Sequence, residues 1–182
     1  YVYFMAAWSA RCFEQIRYSC SIANNPITIL ANGVALGYTP AGPAHSTNED
    51  IAYMRSLLNI EINCPSNLQM TKELVLKSYH ESKLRYIRLE RNYDNRFDNE
   101  ELHTPVKKGI ANIKLKFKSK LINKSSEKIV LVSYGYMLGR CFDVCKKLIE
   151  NNYDCSLFNI YTLKPNPIYE NTIFYARFTC LF

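Results

Sequence analysis

Three histidines, His45, His80 and His103, are the side chains of this 182-residue chain that titrate nearest neutral pH. They are scattered, with no metal-ligand spacing among them or toward the cysteines. His45 alone is framed: the Gly- and Pro-rich run from Gly33 ends on it, directly before a helix start. Its imidazole can donate hydrogen bonds or move a proton there, or simply cap the helix or face solvent. Arg91 follows the strand-like run Arg85–Leu89. A guanidinium just past a strand's carboxyl end can clamp a phosphate bidentately, at the edge where open α/β sheets hold ligands. The same arginine can instead pair with Glu90 or Asp94 on the surface. Seven cysteines (Cys12, Cys20, Cys64, Cys141, Cys145, Cys155, Cys180) form an odd set without a CxxC pair, mostly in apolar stretches. Such thiols pack as small hydrophobes and favour a reducing, cytoplasmic setting, and no metal is expected on these side chains. Walker and dinucleotide motifs are absent, and no Ser/His/Asp order stands out.

The elements that position these groups follow from periodicity. Residues 5–24 place Trp8, Cys12, Phe13, Ile16 and Cys20 at helical spacing, with Arg11, Glu14 and Arg17 opposite. A strand is predicted at 27–31. Ser46-Thr47-Asn48-Glu49 reads as a capping box for a helix through Ile51, Met54 and Leu58. Residues 59–63 read as a strand, Ser66 with Gln69 as a second capping box before a helix through Met70, Leu74 and Lys77, and 85–89 as the next strand. Polar, turn-forming residues 92–112 read as a linker. Beyond it come a strand from 113, a strand at 129–133, a helix from Leu138 or Gly139 through Ile149, and a strand at 155–161. The fold class is therefore α/β: two three-layer units with mainly parallel sheets, 1–91 and 113–182.

The net charge of +7 is concentrated between Lys107 and Lys128, where eight lysines face one acid, Glu127. Ile113 to Lys118 alternates with period two, the pattern of a strand with one solvated, lysine-bearing face. Phe117 lies opposite the lysines, so stacking aromatics and cations do not share a surface, and no nucleic-acid partner is expected. Apolar runs as short as 129–132 predict no membrane span. Tyr1 is not a start residue, which reads as a cut.

The order of local phrases goes further. Phe4-Met5 leads into Arg11-Cys12-Phe13-Glu14-Gln15-Ile16-Arg17, and Gly42-Pro43-Ala44-His45 into Glu49-Asp50-Ile51-Ala52-Tyr53-Met54-Arg55-Ser56. Then come Asn59-Ile60, Cys64-Pro65-Ser66, Arg85–Arg91, Leu131-Val132-Ser133-Tyr134-Gly135 and Tyr161-Thr162-Leu163-Lys164-Pro165. Together they resemble the pyrimidine-binding domain and the following C-terminal domain of the transketolase family, most like its separately encoded C-terminal subunits.

That resemblance implies a thiamine-diphosphate enzyme transferring a two-carbon ketol unit between phosphosugars, as a homodimer or heterotetramer. Phe4 or Trp8 would stack on the cofactor's aminopyrimidine, unless it is an ordinary core aromatic. His45 matches the family's substrate-facing histidine, and Arg91 its phosphate-binding arginine. The departures are Ala44 for threonine, Ser46 for glutamine, and Asn32 where transketolases carry a further substrate histidine. The family's ylid-forming glutamate lies upstream of the opening phrase. The diphosphate and its Mg2+ belong to another domain, so a diphosphate-binding N-terminal subunit or domain is the implied partner, without which the chain is expected to be inactive. Alternatives are a deoxyxylulose-phosphate synthase-like or 2-oxoacid dehydrogenase β-like subunit, or a degenerate, non-catalytic remnant of the same fold.

Overall fold

Four short segments, β1 (Val2–Met5), β2 (Thr28–Asn32), β3 (Ile60–Asn63) and β4 (Leu84–Leu89), pair in parallel in the order β1-β2-β4-β3. They belong to a computed structural model that describes residues 1–35, 37–91, 95–98, 105–107, 109–113 and 128–165. The central strands β3 and β4 are buried almost throughout, because helical segments cover both faces. Ile16, Met54, Ile29, Ile62 and Tyr86 share one core cluster. On the other face Met70 and Leu74 of α3 (Leu68–His80) pack with Ile87 and Tyr161. This is the three-layer α/β arrangement that the alternation predicts.

A second sheet holds β5 (Ile110–Ile113), β6 (Lys128–Ser133) and β7 (Asp154–Ile160) in the order β5-β7-β6. β6 and β7 are parallel, joined through α4 (Met137–Glu150), while β5 runs antiparallel to β7. Leu138, Phe142, Cys145 and Ile149 of α4 pack with Cys155 and Leu157 of β7. The chain then crosses back: β8 (Thr162–Lys164) adds antiparallel to β3 as the edge of the first sheet. Cys64 N–H donates to Tyr161 C=O at 2.7 Å, and the Ser66 hydroxyl donates to Asn159 Oδ1 at 2.9 Å. The two sheets are therefore separate ladders stitched along β3 and the start of α3.

Four local elements differ from what the sequence pattern predicts. In place of the single helix over 5–24, Met5 ends β1 and is followed by a 3-10 turn (Ala6–Ala10), the short α1 (Phe13–Gln15) and a π-helical stretch (Ile16–Ile22). Buried Ser9 bonds to Ala6 C=O and, at 2.6 Å, to the Tyr53 hydroxyl, so a side chain competes with the helical ladder. The helix after His45, α2 (Asp50–Ser56), has Glu49 at its N-cap and no capping box from Ser46. Ala35 N–H donates to Thr47 C=O at 2.8 Å, which holds the backbone out of the helix there. At α3 the cap is Asn67, whose Oδ1 accepts from Met70 N–H at 2.8 Å, because Ser66 is engaged with Asn159. The strand placed from 113 has its described ladder at Ile110–Ile113, starting inside the segment read as linker, and the lysine-rich stretch 114–127 lies outside the described residues. Among the described residues no helix is long and apolar enough to cross a membrane.

Candidate functional site

Because β1, β2, β4 and β3 are parallel, whatever follows their last residues gathers at one edge. The 3-10 turn carrying Trp8 follows β1, the loop carrying Tyr38 and His45 follows β2, and Glu90 and Arg91 follow β4. The Ala6–Ala10 turn packs against the Pro43–His45 turn, so Trp8 and His45 stand on neighbouring segments.

Phe4 and Trp8 differ in environment. Phe4 lies on β1 opposite Ala31 and packs, half-buried, against the first core cluster. Trp8 is 47% exposed and offers its indole to solvent at the carboxyl edge. His45 is half-buried, its backbone N–H closing the turn onto Gly42 C=O at 3.2 Å. Its Nδ1 is buried without a hydrogen-bond partner among the described residues. The Arg91 guanidinium lies 4.8 Å from the centroid of the Tyr38 ring, and its Nη1 is 3.5 Å from Gly37 C=O. Glu90, offered by the sequence as its partner, instead accepts from Tyr136 N–H at 3.0 Å, and Asp94 lies outside the described residues.

Behind this edge sits a polar cluster that the sequence reading missed. Asp50, the first residue of α2, accepts on Oδ2 from Arg88 Nε at 2.8 Å and from the Tyr86 hydroxyl at 3.0 Å, all three buried. Burial works against the Arg88 charge, but the bond and the charge of Asp50 outweigh it and raise the arginine's pKa. Burial, and then the Asp50 charge, push the Tyr86 phenol upward. The Cys64 thiol at the end of β3 is driven by burial to about 12, so it is no nucleophile near neutral pH. Two arginines, Arg85 and Arg88, within a buried strand were the available signal, since charges there must be paired. Among the described residues no three His, Cys, Asp or Glu side chains come together as a metal-binding group.

Comparison with known proteins gives this edge a context. The chain is 22% identical over 162 residues to transketolase-like protein 2 of Bos taurus, covering 88% of this chain and 24% of that protein. It thus spans about a quarter of that relative's length. Among solved structures it superimposes on a split-gene transketolase described as an inactive beta4 tetramer, with TM-score 0.68 and 24% identity over 91% of this chain and 50% of the other. Transketolase from Campylobacter jejuni gives TM-score 0.73 and 16% identity over 89% and 24% of the two chains. At these identities the structural likeness is one of fold. Residues 1–94, just over half of the sequence, match the family model of the transketolase pyrimidine-binding domain, and the chain belongs to the transketolase family.

Proposed function

We propose that this chain supplies the pyrimidine-binding side of a transketolase-type, thiamine-diphosphate-dependent active site that moves a two-carbon ketol unit between phosphosugars. A diphosphate-binding subunit or domain supplies the other side, within a homodimer or heterotetramer. One observation carries the reading: an exposed indole, a half-buried imidazole with an unsatisfied nitrogen, and an exposed guanidinium all follow the carboxyl ends of one parallel sheet.

The donor set fits part of the cofactor. Trp8 offers a flat face on which a pyrimidine stacks, and His45 offers the ring nitrogen that lacks a partner. The diphosphate with its Mg2+ needs several hard oxygen ligands, and the described edge residues do not form such a set. When bound, thiamine diphosphate supplies carbanion stabilisation. Trp8 excludes water from one face of the pyrimidine, His45 donates to or exchanges a proton with a substrate oxygen, and Arg91 holds the phosphate end. The Asp50–Arg88 pair anchors the start of α2 and so the end of the His45 loop. In this proposal residues 1–91 are the pyrimidine-binding unit, 92–112 the connection and 113–182 a second unit that lends β8 to the first sheet, in a reducing cytoplasm where the six described cysteines stay thiols.

Co-expression with a diphosphate-binding transketolase subunit tests this. The complex is expected to bind the cofactor and transfer ketol groups, whereas the chain alone binds it more weakly than about 1 mM, since stacking supplies only ~1–3 kcal/mol. Micromolar binding by the chain alone, or no binding by the complex, would overturn the reading.

A further inference from the structure

Trp8 sits in a 3-10 turn of five residues, Ala6–Ala10, longer than the roughly three or four that such turns usually reach, because their hydrogen bonds are poorly aligned. No side chain caps its start at Met5. Support comes from inside the turn and from α2. The Ser9 hydroxyl, fully buried, bonds back to Ala6 C=O and meets the Tyr53 hydroxyl at 2.6 Å. A hydroxyl carries one hydrogen, so with the Ser9 proton on Ala6 C=O the Tyr53 phenol is the donor to Ser9 Oγ.

Tyr53 is itself held in place. Its ring stands edge-on to Phe13, with centroids 5.6 Å apart at 79°, and packs half-buried against the first core cluster. It lies one helical turn after Asp50, the residue that Arg88 and Tyr86 fix to the central strand β4. The Ala6–Ala10 turn also packs against α2 and against the Pro43–His45 turn. A continuous set of contacts therefore runs from β4 through Asp50 and Tyr53 to Ser9, and ends on the residue next to Trp8. The indole is 47% exposed, so its direction depends on the backbone that carries it.

We propose that Tyr53 is the positioning residue for Trp8: its phenol, by donating to Ser9 Oγ, locks the Ala6–Ala10 turn and holds the indole ready at the carboxyl edge of the first sheet. The inference rests on the functional reading for what stacks on that indole, and on this chain alone for how the indole is held. Tyr53 acts from behind the turn, through Ser9, and not by contact with a ligand. A ring that lands on a face already in place gives up less freedom than one that must first order the turn, so the hydroxyl raises cofactor affinity without adding a contact.

Trp8 is the sole tryptophan, so time-resolved fluorescence anisotropy of the 182-residue chain reports its local motion. Tyr53→Phe keeps the ring against Phe13 and removes only the donor, while Ser9→Ala removes the acceptor. Each should enlarge the nanosecond component of the Trp8 decay with unchanged circular dichroism, and the double variant should go no further than either alone. Tyr161→Phe is the control for general destabilisation: that buried phenol accepts from the Lys107 and Gly109 N–H groups and packs in the cluster on the other face of the sheet, so the decay should not change. In the complex with a diphosphate-binding subunit, Tyr53→Phe should weaken cofactor binding roughly tenfold, the scale of one lost hydrogen bond, and Tyr161→Phe should not. An unchanged decay in Tyr53→Phe, or an equal change in Tyr161→Phe, overturns the proposal. So does unchanged cofactor affinity in the Tyr53→Phe complex, which leaves the functional reading standing. A wild-type complex that binds no cofactor overturns the functional reading instead, and the decay alone then decides whether Tyr53 holds Trp8.

Discussion

Arg88 and Asp50 form a buried ion pair, Nε to Oδ2 at 2.8 Å, that ties the central strand β4 to the first residue of the helix after the His45 loop. Arg88 is 5% exposed and Asp50 fully buried, so the carboxylate has exchanged water for this arginine and the Tyr86 hydroxyl. Removing one partner leaves an uncompensated buried charge, which typically costs about 3–5 kcal/mol. Arg88→Met and Asp50→Leu should therefore each destabilise the chain by about that amount in urea denaturation. The double variant should recover much of the loss, because a well-packed apolar pair often replaces a buried ion pair at little cost. Additive losses in the double variant would mean that the pair is not coupled.

Gly135, at the turn from β6 into α4, lies directly against the Glu90 carboxylate that follows β4. It has φ +57, and a Cβ there would lie 2.3 Å from Glu90 Oε1. Gly135→Ala is expected to lower stability by roughly 1–3 kcal/mol through the backbone conformation alone, and further by displacing Glu90. Pairing it with Glu90→Ala separates the two effects: the steric part should vanish in the double variant and the backbone part should remain.

Glu90 also makes stability depend on pH. Burial raises its pKa above the ordinary 4.5, outweighing the Tyr136 N–H bond and the Arg88 charge, which lower it. A carboxyl raised on folding binds its proton more tightly in the native state. Its contribution is then fully present below the unfolded value near 4.5 and is lost as pH rises through the higher folded value. Glu90→Gln cannot ionise, so its melting temperature relative to wild type should rise as pH increases above 4.5. Parallel curves for the two proteins between pH 4 and 8 would show that Glu90 does not titrate differently on folding.

The alternation of strands and helices was legible because apolar runs of β-branched residues punctuated by Pro and Asn report local structure. What failed was decided by distant partners. Ser66 looks like a cap, but Asn159 claims its hydroxyl at 2.9 Å and leaves the cap to Asn67. Ser9 lies in a helical pattern, yet Tyr53 holds its side chain. At the edge, Arg91 was readable from its place after a strand, but its Tyr38 partner arrives from the loop after β2. Asp50 and Arg88 each look like ordinary surface charges until β4 proves to be the central strand.

The choice between Phe4 and Trp8 yields to experiment, because Trp8 is the sole tryptophan and reports on its own surroundings. Trp8 is 47% exposed, so Trp8→Ala should shift stability by no more than about 0.5 kcal/mol. In the reconstituted complex it should weaken cofactor binding by roughly tenfold or more, the equivalent of ~1–3 kcal/mol of lost stacking. Phe4 packs against the first core cluster, so Phe4→Ala should cost about 2 kcal/mol of stability, less than a fully buried phenylalanine, and leave affinity unchanged. Quenching of Trp8 fluorescence on adding cofactor to the complex gives an independent readout, since an indole stacked on a heteroaromatic ring loses emission. If Phe4→Ala weakens the cofactor and Trp8→Ala does not, Phe4 is the stacking ring and the exposed indole of Trp8 serves another surface.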